Sequence, residues 1–351
     1  MGIHILSGIL ARPLCHSTSP ILQKHTPRKQ WRLALSGINT QNDWAQTGPY
    51  SPQRVRNRES QTGTYVLRKV RPRSPAVESI ARVGIMCYKN IMYVDSHCHL
   101  ELESYTDDRK AVIEKSVQEG LQYILSVGTE ESYFDTLVTI IDTYPPVYGA
   151  VGIHPHNSSE YGNASADKIR HLAEHKKIVG YGEIGLDFFK NHTPRDIQIK
   201  AFREQLELAR ELHLPVIIHS RDAKVETLEI LREAYGDGSG VIHCYSYDLD
   251  YAKKFLHMGF YISIPGTITY KNNENLIEVV KYLPEDRILS ETDAPFLTPH
   301  PHRGKRNEPH FVKYTVEKMA QIRNQDKEKL TRAIRDNFEK LFLENKEGKT
   351  L

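Results

Sequence analysis

The chain has 351 residues, 39% of them hydrophobic and 26% charged, with a mean hydropathy of −0.52 and a formal net charge of +3. That length admits one large domain or two ordinary ones, and no stretch approaches the roughly 18 apolar residues that a bilayer span needs. Four cysteines without CxxC spacing make a poor disulfide framework, so a reducing, cytoplasmic setting is expected.

Residues 1–91 hold 14 Lys and Arg against 3 Asp and Glu, a charge of +11. The remainder holds 33 basic and 41 acidic residues, a charge of −8. The first segment is rich in Arg, Pro, Ser, Gln and Asn and shows no sustained period of 2 or 3.6, so disorder is expected there. Three readings stay open: a transit-like targeting segment, a basic arm for nucleic acid, or a start codon set too far upstream of Met86 or Met92. The acidic body argues against broad clamping of a nucleic-acid backbone. It leaves room for a local basic funnel or for metal-mediated phosphate contact.

From Met92 onward apolar strand-like runs alternate with amphipathic helical stretches. The spacing predicts strands over 92–100, 123–129, 147–155, 178–187, 215–221, 240–246, 261–269 and 288–295. Helical stretches follow most of them, among them 107–120, 195–212 and 309–320. Eight βα units in about 250 residues is the size of a (β/α)8 TIM barrel, assigned here to 92–345. A doubly wound open sheet is the alternative, but no Gly-rich phosphate fingerprint follows the first strand.

In such a barrel the chemistry lies at the carboxyl ends of the strands. Those ends carry Asp95 to His99, then His154, Glu183 and Asp187, His219 and Arg221, His243, and finally Glu291 and Asp293. Alternation along a strand turns His97 and His99 to the same side, with Cys98 pointing away. Imidazole and carboxylate ligands without thiolates suit zinc, manganese or a similar divalent ion. His97, His99, Glu183 and Asp293 could hold one ion; His219 and His243, sharing Glu183, could hold a second. A shared carboxylate keeps two cations about 3.5–4 Å apart, the spacing of two-metal phosphoesterases. Against this stand the ordinary readings: Asp95 as a cap, Cys98 and Cys244 as packing residues, Glu291 facing the barrel wall.

The runs VDSHCHLE, GIHPH, GEIGLDFF, PVIIHSRDA, VIHCYS, ETDAPFLTP and RGKRNEP, in this order, resemble the TatD family of metal-dependent deoxyribonucleases, members of the amidohydrolase-like barrels. The resemblance covers about 92–342. It implies two divalent ions (zinc, magnesium or manganese), one on His97, His99, Glu183 and Asp293, the other on Glu183, His219 and His243. Glu183 stands where related amidohydrolases carry a modified lysine, which argues against a dihydroorotase-like enzyme. His154 falls in the family's GxHP motif and is expected near the scissile group, with a packing role as the equal alternative.

The resemblance also implies hydrolysis of DNA phosphodiesters by metal-activated hydroxide, mainly trimming of single strands from the 3′ end. Asp293 handles the nucleophile's proton, with Glu183 and His154 completing the catalytic set. Arg221 and the loop residues Arg303, Lys305 and Asn307 are expected to meet the substrate. The rival enzyme class is a carbonyl-ester hydrolase, such as a D-aminoacyl-tRNA deacylase; a non-enzymatic nucleic-acid binding protein is disfavoured by the intact ligand set. DNA is the expected partner, with no membrane and no obligate protein partner.

Overall fold

Eight apolar runs become eight strands: β1 (Tyr93–Cys98), β2 (Leu121–Gly128), β3 (Val147–Val151), β4 (Ile178–Asp187), β5 (Val216–Arg221), β6 (Gly240–Ile242), β7 (Tyr261–Ile264) and β8 (Ile288–Ser290). The computed structural model describes residues 92–236 and 238–344; the basic extension expected over 1–91 lies outside the described residues. Each strand pairs in parallel with the next in chain order. Nine α-helices accompany them among the described residues: α1 (Arg109–Gln118), α2 (Glu131–Thr143), α3 (Asn163–Ala173), α4 (Arg195–Glu211), α5 (Lys224–Ile230), α6 (Leu249–His257), α7 (Glu274–Tyr282), α8 (Val312–Arg323) and α9 (Lys327–Phe338). This is the (β/α)8 barrel that the alternation of runs predicts.

The ring is closed between β8 and β1 by short backbone contacts and by side chains. Asp293 N–H donates to His97 O at 2.9 Å and His99 N–H donates to Ala294 O at 2.8 Å. The Asp95 carboxylate accepts from the Thr292 amide at 2.9 Å and from its hydroxyl at 2.6 Å. Ser96 Oγ donates to Ser290 O, and Ser290 Oγ donates to Val94 O. Asp95 is therefore a seam residue, buried and spent on Thr292.

Strands covered on both faces can be apolar throughout, and β1 and β4 are buried at every position. The helices bury one stripe each; in α2 this is Phe134, Leu137, Ile140 and Ile141, the i, i+3, i+6, i+7 spacing of a 3.6-residue period. Two buried polar residues on α4 reach back to the site-bearing backbone. Gln205 brackets Ile153, accepting from its N–H and donating to its carbonyl. Gln198 does the same for Asp187. One helix thus fixes the chain just before His154 and at the end of β4.

Four strands are shorter than their apolar runs suggest. β3, β6, β7 and β8 leave the ladder at Val151, Ile242, Ile264 and Ser290, several residues before the expected ends at 155, 246, 269 and 295. The residues beyond stay largely buried, which is why the runs look continuous, but their backbone turns. Cys244 and Asp293 take positive φ angles of 47° and 55°, which removes them from strand pairing.

Candidate metal centre

His97 and His99 emerge from β1 two residues apart, with their Nε2 atoms 3.2 Å from each other. Asp293 Oδ1 lies 3.8 Å from the first and 3.4 Å from the second. Glu183 Oε2 lies 3.3 Å and 3.9 Å from the same two nitrogens. Donors about 2.0–2.2 Å from one tetrahedral ion stand a little over 3 Å apart, so His97, His99 and Asp293 are spaced to hold a cation, and Glu183 Oε2 borders the same group.

The other oxygen of Glu183 faces a second group. Oε1 is 2.6 Å from His219 Nδ1, 2.9 Å from His243 Nε2 and 3.6 Å from His154 Nε2. Burial pushes the Glu183 carboxyl up, but the neighbouring imidazoles, His243 foremost, and the hydrogen bond from His219 outweigh it and hold the group well below the usual carboxylate range. Asp293 behaves alike: burial raises it, and the hydrogen bond from His99 with the charge of His243 brings it down. Both acids are therefore anions, as ligands must be.

Two of the imidazoles turn their second nitrogen to a hydrogen-bonded outer acceptor, and a third stands beside a carboxylate. His99 Nδ1 is 2.9 Å from Val127 O and 3.3 Å from Glu101 Oε1. His219 Nε2 is 3.3 Å from Asp187 Oδ2. His243 Nδ1 is 3.2 Å from Glu291 Oε1, close enough for charge attraction but without hydrogen-bond geometry. Such outer partners set the tautomer and aim the free lone pair inward, the usual arrangement of metal-binding histidines. Glu291 also accepts from Cys244 N–H at 2.7 Å, so it backs the site from inside the barrel.

His154 is built differently. Its Nδ1 accepts the His156 amide at 3.1 Å, and burial drives the ring well below the ordinary histidine range. A neutral ring with Nδ1 occupied carries its proton on Nε2. The hydrogen-bond network therefore assigns the nitrogen that faces Glu183 as a donor and not as a ligand.

Gly185, in the GEIG run, has φ +143°, and a Cβ there would meet His219 O at 2.0 Å. The glycine is what lets β5 approach β4 closely enough to set His219 beside Glu183.

A family model described as TatD related DNase matches residues 94–343. The chain belongs to the TatD family. A TatD-family likeness also joins it to individual proteins. It is 39% identical to YabD of Bacillus subtilis over 252 residues, 72% of this chain and 99% of that protein, which is named an uncharacterized metal-dependent hydrolase. It is 38% identical to YcfH of Escherichia coli K12, of the same description, over 253 residues, 71% of this chain and 95% of that protein. The crystal structure of YJJV, a TatD homologue of Escherichia coli K12, superposes with a TM-score of 0.68 at 29% identity, covering 71% of this chain and 97% of that one.

The rim residues of this TatD-family barrel are placed less uniformly than its ligands. Arg221 is exposed and lies 4.0 Å over the Phe189 ring. Arg303 is exposed and lies 4.0 Å over the Tyr270 ring. Lys305 is exposed and lines a cavity with Lys115, His302, Arg306 and Lys313, toward α1 and α8. Asn307 is fully buried. Its amide donates to Thr292 O and Phe296 O, so it ties the loop to β8 and has no donor left for substrate. Arg306, its neighbour, pairs with Asp108 at 2.6 Å and donates to Ser104 O.

Sequence reasoning set Asp187 and Glu291 at strand ends without an outer-acceptor role, and it missed Glu101 and the imidazole of His156, which stands 2.9 Å from Asp187 Oδ2. Glu101 left a signal of its own, since it continues the every-second-residue step of His97 and His99. Cys98 is buried with its thiol donating to Leu125 O, the packing role expected of it.

Proposed function

We propose that this TatD-family chain is a metal-dependent hydrolase that cleaves phosphodiester bonds in DNA, trimming single strands from the 3′ end. The observation that carries the reading is Glu183, whose two oxygens face two separate donor groups, Oε2 at 3.3 Å from His97 and Oε1 at 2.6 Å from His219. A carboxylate so placed could be shared between two cations, as in two-metal phosphoesterases. The metal-dependent relatives and the family's DNase description support it. Nitrogen and oxygen donors without thiolate suit zinc, magnesium or manganese.

Bound divalent ions supply charge neutralisation at the phosphoryl oxygens and a water of lowered pKa. The chain's own groups do the rest. Asp293 takes the proton of the attacking water: its side chain is 16% exposed against 1% for His97 and 5% for His99, so it forms the open edge of its group. His154 donates from Nε2 to a phosphoryl oxygen or to the leaving group. Arg221, Arg303 and Lys305 meet the polyanion around the mouth. Catalysis is assigned to 92–345, which holds all eight strands and every donor. The proposed setting is the cytoplasm with DNA as partner and with neither membrane nor obligate protein partner; among the described residues no helix is long and apolar enough to cross a membrane.

The test uses the full chain, stripped of metal and reloaded with zinc, magnesium or manganese. It is offered 3′-labelled single-stranded DNA, duplex DNA, RNA and a D-aminoacyl-tRNA. Stepwise shortening of the single strand from its 3′ end, faster than turnover of the others, is the expected result. Faster release of the amino acid than of any nucleotide would replace the reading with that of a deacylase.

A further inference from the structure

Two phenylalanines stand out in solvent on the rim of the metal mouth. Phe189 is 56% exposed and Phe296 is 53% exposed, the highest values among the exposed large hydrophobics of the described residues. A scattered exposed apolar side chain needs no explanation. These two share three features that do.

The first is position. Phe189 follows β4 by two residues, and Phe296 follows Asp293 by three. In a ring ordered β1 to β8, β4 and β8 are diametrically opposed. They are also the strands that deliver Glu183 and Asp293. The rings therefore sit on opposite sides of the mouth, with the donor groups between them.

The second is rigidity. Phe189 and Lys190 both donate their amides to Asp187 Oδ1, at 3.0 and 2.8 Å, while the other oxygen of that carboxylate faces His219. Phe296 N–H donates to Asp293 O at 2.8 Å, and its carbonyl accepts from the buried Asn307. Its ring lies 6.1 Å from that of His99. Each exposed ring is thus mounted on a turn tied to an acidic residue of the site, through the Asp187 carboxylate for Phe189 and through the Asp293 backbone carbonyl for Phe296, an arrangement that holds a platform in place.

The third is charge. The Arg221 guanidinium lies 4.0 Å over the Phe189 ring, and Lys190 Nζ lies 5.9 Å from it. Across the mouth Arg303 lies 4.0 Å over Tyr270, whose hydroxyl donates to Thr298 O in the loop that carries Phe296. Aromatic faces interleaved with cations are the recognition chemistry of unpaired nucleic acid: the rings stack bases and the cations follow phosphates.

We propose that Phe189 and Phe296 are stacking platforms for two unpaired nucleobases on either side of the scissile phosphate, with Arg221 holding the phosphate beside the first. The inference rests on the phosphodiesterase reading and names its substrate class as single-stranded nucleic acid of any base sequence. A duplex keeps its bases stacked on one another and cannot present them to the two rings.

The experiment compares the full-length, metal-loaded protein with its Phe189→Ala, Phe296→Ala and double variants. The probes are a short oligothymidylate and an abasic strand with the same sugar–phosphate backbone. Base stacking on an aromatic side chain raises affinity about five- to a hundred-fold, so the wild type should favour the strand with bases by that factor in KM. The double alanine variant should bring the ratio close to one with metal content intact, and Phe→Trp at both positions should restore it. Equal KM for both strands in the wild type, or a ratio untouched in the double variant, overturns the platforms. Should neither strand be hydrolysed, the phosphodiesterase reading fails by itself. Equilibrium binding of the same two strands, read by fluorescence anisotropy, then decides the platforms: tighter binding of the base-bearing strand that the double variant loses supports them, and equal binding overturns them.

Discussion

Nδ1 of His219 stands 2.6 Å from Oε1 of Glu183, while the other nitrogen of the same ring faces Asp187 at 3.3 Å. An imidazole between two carboxylates is satisfied on both sides only when it carries two protons or when a cation takes the place of one. Oε1 also draws His243 Nε2 to 2.9 Å. One divalent ion can satisfy both nitrogens and the oxygen at once, which a single proton cannot.

Glu183→Gln should therefore lose at least one ion. The amide keeps the shape of the side chain, but its nitrogen end cannot serve as an anionic ligand. Elemental analysis with anomalous scattering on the reloaded variant reads the outcome. Full occupancy of two ions would remove Glu183 from its bridging role.

Asp293→Asn should fold normally and lose about 10²–10⁴-fold in turnover, the usual cost of removing a general base. The residue has φ +55°, a conformation that asparagine tolerates, so the fold is not put under new strain. Hydrolysis near the wild-type rate at saturating metal would assign the proton to another group.

Gly185→Ala should destabilise the barrel by about 2–5 kcal/mol, summing overpacking and an unfavourable backbone angle. The added Cβ meets the His219 carbonyl at 2.0 Å, so β5 must shift and His219 with it. Urea unfolding and metal content should fall together. A variant with wild-type stability and full metal would show that the two strands part more easily than their packing indicates.

His310 offers a pH test away from the centre. It is buried beside α8, and burial together with Lys115 and Lys313 lowers its pKa from 6.5 to about 4. Glu308 Oε2 lies 3.3 Å from its Nδ1 but without hydrogen-bond geometry, so burial prevails. The unfolded chain takes up a proton that the folded one refuses. The neutral form's stabilisation is full above pH 6.5 and is lost as the pH falls toward 4. Wild type should lose about 2 kcal/mol more between pH 7 and pH 5 than His310→Asn does. Parallel stability curves for the two proteins would contradict this.

Much of the architecture can be read from residue order because it rests on local pattern. β4 is buried for all ten of its residues, with Glu183 and Asp187 the charged ones among them, and the sequence announces the first ligands by an HxH step. The four shortened strands were harder, since burial persists after pairing stops and an apolar run records only burial. The outer acceptors were harder still. Glu291 backs His243 and Asp187 backs His219 across 48 and 32 positions of chain, and no periodicity links such partners. Asn307 shows the opposite case: a motif residue in a cationic loop reads as a substrate contact, yet its donors face inward to backbone carbonyls.

The seam between β8 and β1 gives the centre a second consequence. His97 belongs to the first strand of the barrel and His99 follows it directly, while Asp293 follows the last. A cation on these three side chains is a clasp between the two ends of the ring, closing by coordination a circle that the backbone closes with only a few hydrogen bonds. During synthesis the clasp cannot fasten until nearly the whole barrel has emerged, so an unfinished or unclosed chain holds no complete site. A complete donor set thus arrives only with a completed fold.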